Sequence, residues 1–140
     1  MSSAQMAIVA ERCTPLPPGY RAAAVAGCLG ALVLLRLPIS VSLRLVAFGH
    51  RRTTRRARTR QAEMVIGAVR AVSRILPVRF ACLETALAST LTCLLLRHRV
   101  DWCIGARMMP YTAHSWVEVE GAPIAEPGFD AHPYLVLIRT

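Results

Sequence analysis

The apolar residues of this chain change their spacing once, at Gly105. Before it they recur at helical intervals through long segments. After it the chain breaks into short β-rich pieces separated in places by Gly121 and Gly128. Helices followed by strands predict an α+β fold, with N-terminal helices packed on a small antiparallel sheet.

The spacing sets the expected elements. Residues 1–19 are expected to form a flexible arm, because Pro15, Pro17, Pro18 and Gly19 cluster there. Residues 20–49 predict one or two apolar helices broken near Pro38. Residues 51–76 predict a helix that begins basic and becomes amphipathic: Met64, Val65, Ala68, Val69, Val72 and Ile75 share a face, and Pro77 ends it. A further helix is expected from near Ala81 to about Arg97. Strands are expected over 102–108, 113–119, 123–125 and 134–138. In the second of these, Val117 and Val119 alternate with Glu118 and Glu120, as in a strand with one wet face. The whole predicts a single domain over 20–140, with a helical part at 20–76 and a chemical core at 77–140.

Composition narrows the function. The 140 residues carry a net charge of +9, and 54% of them are hydrophobic. The segment Arg51 to Arg60 holds six arginines in ten residues. Such a run can solvate a helix start or bind nucleic acid, anionic lipid or an acidic polypeptide. It lacks the interleaved aromatics of a nucleic-acid surface, so no nucleic-acid partner is expected. The uncharged run from Ala22 to Leu35 would span only ~21 Å as a helix, short of the ~30 Å hydrocarbon core. Membrane insertion is therefore not expected. The five cysteines (Cys13, Cys28, Cys82, Cys93 and Cys103) are odd in number and contain no C-x-x-C pair. Neither a disulfide framework nor a metal site is supported, no cofactor is implied, and reduced thiols in the cytoplasm are the expectation.

Cys82 is the cysteine whose setting carries chemistry. It opens an apolar helix just after Pro77-Val78-Arg79-Phe80-Ala81. Unpaired amides and a partial positive charge at a helix N-terminus favour thiolate over thiol and can stabilise an oxyanion. His114 lies on the expected strand Ala113–Val119, where an imidazole could take the thiol proton and return it to a leaving amine. An acid on the next strand would orient the ring; Glu126 follows one turn and one short strand later, and Asp130 lies just beyond. Taken singly, these residues also fit plain structural roles. Cys82 could be a small core residue, and His114 a satisfied histidine beside Trp116.

The motifs in combination are more specific. Cys82-Leu83-Glu84-Thr85-Ala86, then Cys103-Ile104-Gly105-Ala106, then His114-Ser115-Trp116-Val117-Glu118 occur in that order at close spacing. The chain thereby resembles the lasso-peptide biosynthesis B protein family over about residues 60–138. That resemblance implies a transglutaminase-like, papain-related fold and a cysteine peptidase that removes the leader from a lasso-peptide precursor. It places the nucleophile at Cys82, the base at His114 and the third residue at Glu126, where the family normally has Asp. Asp130 is the rival for that third place, and His132 the rival base. Residues 1–60 do not show the strand-then-helix pattern of the winged-helix leader-recognition domain fused to some relatives. The expectation is a stand-alone peptidase half that works with a separate recognition protein, the leader, and the lasso cyclase as a further candidate partner. Two other readings stay open on the residues: acyl transfer to an amine, as in true transglutaminases, and a non-catalytic basic module for nucleic acid or membrane.

The remaining candidates read as structural. Cys13, Cys28, Cys93 and Cys103 read as packing or free surface thiols. His50 and His98 sit beside arginines and read as solvated helix-end residues, and Glu84 suits a first helical turn.

Overall fold

A computed structural model describes residues 17–108, 111–126 and 134–140. Cys13, Asp130 and His132 lie outside the described residues, as does most of the expected N-terminal arm. Among the described residues, four helices come first: α1 (Pro18–Leu34), α2 (Ile39–Arg52), α3 (Thr59–Ile75) and α4 (Cys82–Leu95). Four strands follow: β1 (Asp101–Arg107), β2 (Thr112–Val119), β3 (Ala122–Pro123) and β4 (Leu135–Arg139). The architecture is α+β, as the change of period at Gly105 predicts.

The helix starts and stops follow local chemistry. Pro18 and Gly19 belong to α1, with Pro18 in the first turn, where its missing N–H costs nothing. Pro38 separates α1 from α2. Leu76 ends α3 in an extended conformation ahead of Pro77, whose ring disfavours helix in the residue before it.

The arginine run departs from expectation. It does not begin one long helix. Arg51 and Arg52 end α2, and Arg58 caps α3. Between them the chain is extended, with Ala57 N–H donating to Arg99 O at 2.9 Å and Arg99 N–H to Arg55 O at 2.8 Å. A continuous helix would stack these like charges three and four residues apart, which destabilises it. The extended segment spreads them and buries Ala57 instead.

Helix α4 is the centre of the fold. It contacts all three other helices as well as β1 and β2. Its buried residues, Ala86, Leu87, Ala88, Ser89, Thr90, Thr92 and Cys93, cover most of its circumference. The three hydroxyls are satisfied internally: Ser89, Thr90 and Thr92 donate to the carbonyls of Thr85, Ala86 and Ala88 at 2.7, 2.8 and 2.7 Å. A buried helix can therefore carry them without orphaned polar groups. The α1–α4 seam is built from small residues. A Cβ on Gly27 would collide with the Thr92 hydroxyl and approach Ala88 O to 2.8 Å, so only glycine fits there.

The sheet order is β3-β2-β1-β4, antiparallel throughout. Trp102 opposes Val117 and Cys103 opposes Trp116. Alternation then divides the sheet: Trp102, Val117 and Val119 join the helix-packed core, while His114, Trp116 and Glu118 share the other face. Here the wet-face expectation for Glu118 fails. Glu118 is 3% exposed. Trp116 Nε1–H donates to Glu118 Oε1 at 2.9 Å, and Arg139 Nη2 pairs with Oε2 at 3.0 Å. Arg139 of β4 and the Trp116 ring cover this part of the face, and the carboxylate is kept by its tryptophan and arginine. Glu120, at the following turn, is exposed as expected.

The outer side of α1 and α2 is apolar. Val25, Leu29 and Val33 on α1 and Val41, Leu45 and Phe48 on α2 are exposed, with Arg52 stacked 4.8 Å from the Phe48 ring. Among the described residues no helix is long and apolar enough to cross a membrane.

Candidate active site

Cys82 is the first residue of α4. Its N-cap is Ala81, which has no side-chain acceptor, so no side chain caps the first-turn amides. Glu84 reaches back to accept from Ala81 N–H at 3.1 Å, which stabilises the helix start. Cys82 is a free thiol and is partly exposed.

β2 runs beside α4 and brings His114 into the same cavity. That cavity has a volume of about 260 Å³. Its walls come from α3 (Ile66, Arg70), the start of α4 (Cys82, Thr85), β2 (His114, Trp116) and the segment after β3 (Ile124, Glu126). Glu126 Oε2 lies 2.8 Å from His114 Nε2, with both side chains partly buried. An ionised carboxylate only accepts, so this contact puts the proton on Nε2 and leaves Nδ1 as the nitrogen able to take another. The longer glutamate side chain reaches the ring without difficulty. The structure thus brings Cys82, His114 and Glu126 to one cavity.

The imidazole is also held by rings. It stacks on Trp116 (centroids 5.9 Å apart, 18° between planes) and packs on Tyr134 at 5.2 Å. Arg107 in turn lies 5.2 Å from the Tyr134 ring centre. Gly105, opposite His114 in the β1–β2 register, makes room for this cluster. A Cβ there would sit 2.6 Å from both Trp116 Cη2 and Leu135 O. The Ile-Gly step in β1 therefore has a steric cause in the ring beside the histidine.

Among the described residues the other cysteines, Cys28, Cys93 and Cys103, are buried. Burial pushes the Cys93 thiol up to about 12. Burial, with the Glu118 carboxylate adding to it, does the same for Cys103, also to about 12. Burial raises Cys28 as well. All three stay protonated near neutrality and read as packing. Among the described residues no three His, Cys, Asp or Glu side chains gather where a metal ion could sit.

Two residues around the site, Arg70 in the cavity wall and Tyr134 against the histidine, are not marked by the sequence. The helical period leaves Arg70 off the apolar face of α3, yet it reaches the cavity wall and donates to Ala125 O at 3.3 Å. Tyr134 reads in the sequence only as the start of a strand, yet it packs on His114. Neither carries a local signal; each is placed by contacts with residues distant in the chain.

Three comparisons bear on this arrangement. A family model described as the transglutaminase-like superfamily matches residues 26–139, from α1 through β4, and so includes Cys82, His114 and Glu126. No curated protein matches the chain, and no solved structure does.

Proposed function

This chain belongs to the transglutaminase-like superfamily, and from that premise we propose that it is a cysteine peptidase removing the leader from a lasso-peptide precursor. The superfamily includes cysteine peptidases and acyltransferases, and the resemblance of the Cys82, Gly105 and His114 motifs to the lasso-peptide B proteins points to the substrate. The observation that carries the reading is the 2.8 Å contact between His114 and Glu126 in the cavity that Cys82 opens onto.

The proposed chemistry is nucleophilic. His114 Nδ1 accepts the Cys82 proton as the sulfur attacks the scissile carbonyl. The first-turn amides of α4, uncapped by any side chain, stabilise the oxyanion. Collapse expels the amine of the core peptide, which takes its proton from the imidazolium, and leaves the leader bound to Cys82 as a thioester. Water, deprotonated by His114, then releases the leader as a carboxylate. Glu126 fixes the ring and balances the imidazolium charge throughout.

A separate leader-recognition protein presents the substrate in this proposal. The exposed apolar faces of α1 and α2, flanked by Arg36, Arg44, Arg51 and Arg52, suit such a partner or the cyclase, since patches of this kind mark interaction surfaces.

Incubating precursor and recognition protein with wild-type and Cys82→Ala protein tests the reading by product mass. Leader release as a free carboxylate, absent from the variant, is the expected result. A leader joined to an added amine would make the enzyme an acyltransferase, and normal release by Cys82→Ala would remove the nucleophile assignment.

A further inference from the structure

Three non-glycine residues among the described ones adopt left-handed backbone: Arg97, Glu120 and Ala125, with φ of 61°, 53° and 54°. Two have ordinary causes. Arg97 closes the C-terminus of α4, where the following amide, His98 N–H, returns to Cys93 O at 2.8 Å. Glu120 and Gly121 (φ 80°) form the two-residue hairpin between β2 and β3, whose twist calls for two positive φ values. Ala125 belongs to neither a helix end nor a hairpin. A residue with a Cβ persists in this conformation only where its surroundings impose it.

Those surroundings are specific. On one side Ile124 is anchored: it is 4% exposed, and its N–H donates to Val117 O at 2.9 Å. On the other side comes Glu126, whose carboxylate meets His114. Between them, Arg70 Nη2 of α3 donates to the Ala125 carbonyl at 3.3 Å. If Ala125 relaxed to an ordinary φ, the peptide joining it to Glu126 would turn and carry the carboxylate off the ring.

We infer that Arg70 is a positioning residue: its guanidinium holds the Ala125 carbonyl, and with it the left-handed turn that delivers Glu126 to His114. The inference rests on the proposed catalytic reading for its functional meaning, but its structural content is the Arg70–Ala125–Glu126–His114 chain of contacts. Arg70 is exposed at its helix position, so its substitution leaves the core intact.

The test is the His114 Nε2–H proton in the isotope-labelled full chain, followed by NMR at a pH where the imidazole is neutral. Exchange of this proton with water is slow while Glu126 accepts it. Glu126→Ala sets the fully released reference. Arg70→Met should speed exchange at least ~10-fold, comparable to losing a hydrogen bond to a charged group, and Arg70→Lys, which keeps a donor, should restore most of the protection. In an Ala125→Gly background, where the turn carries no strain, Arg70→Met should have a smaller effect. In the processing assay Arg70→Met should lower kcat with KM unchanged. Wild-type exchange in Arg70→Met, alongside release in Glu126→Ala, would overturn the inference, as would a rise in KM with the proton still protected, which would make Arg70 a substrate contact. If Cys82→Ala still processed precursor, the catalytic reading would fall, while the exchange comparison would still decide whether Arg70 positions Glu126.

Discussion

Helix α4 carries a cysteine near each end, and the two are chemical opposites. Cys82 opens the helix, faces a cavity and shares it with an imidazole held by a carboxylate. Cys93, three turns on, is 2% exposed, and burial pushes its thiol up to about 12. Both lie on one rigid element of one sequence. What separates them is the helix position and the depth: the N-terminus offers free amides and solvent access, whereas the Cys93 side chain is enclosed in the core. The same contrast extends to Cys103, enclosed by the sheet beside a carboxylate.

The largest expected effect is the most direct attempt to break that contrast. Cys82→Ala should lower leader release at least ~1,000-fold, as removal of a nucleophile does. Cys93→Ala should leave the rate unchanged and show only as a lower Tm. Equal losses of rate from the two would erase the distinction. Next comes His114→Ala, with a loss of ~100- to 10,000-fold in kcat, the range of general acid–base catalysis. Glu126→Ala should cost less than His114→Ala, because the ring still stacks on Trp116 and Tyr134. Substrate is not needed for the third comparison. A thiol alkylator near pH 8, read by peptide mass, should label Cys82 ahead of Cys28, Cys93 and Cys103. A thiol with a pKa of about 12 presents only ~1 part in 10,000 as thiolate at that pH. Labelling Cys93 first in the folded protein would contradict the burial argument.

Two smaller effects sharpen the comparison through the support of α4. Gly27→Ala should cost about 1–3 kcal/mol, since its methyl meets Thr92 and Ala88 in the α1–α4 seam. Denaturant unfolding measures it. His50 at the end of α2 is buried and not solvated as its arginine neighbours suggest, and it is held below its ordinary imidazole value, first by burial and then by Arg99, with Asp101 opposing. The unfolded chain therefore takes up this proton more readily than the folded one. Stability is full above the ordinary value near 6.5 and is lost as pH falls below it. His98, lowered by burial and Arg55, adds in the same direction. Thermal unfolding at pH 7 and pH 5 should show a lower Tm at pH 5, with a smaller difference in His50→Gln.

The helices and strands were legible in the sequence because each is encoded by a local period. Pro38 and Pro77 mark breaks, and the shift at Gly105 marks the sheet. The arginine run misled because like-charge repulsion across turns outweighed its apparent continuity with α3, and a long-range pairing with Arg99 was available in place of helix. Glu118 misled because alternation tells which residues share a face but not what covers that face; Arg139, from the last strand, does the covering. In the site, Cys82 stood out through its place at a helix start and its motif, His114 mainly through the His-Ser-Trp-Val-Glu motif, and Glu126 through the position the family resemblance gives it. The contacts that position them did not. Arg70, Ala125 and Tyr134 act through residues far away in the chain, and an alanine with positive φ carries no mark in a sequence.

The central claim is that Cys82 becomes acylated by the leader. Acid quench of a reaction containing precursor and recognition protein, followed by intact mass analysis, reads this directly. The account predicts a transient species at the mass of this chain plus the leader acyl group, discharged by hydroxylamine and absent from Cys82→Ala. Leader release without any such adduct, and undiminished in Cys82→Ala, would contradict it.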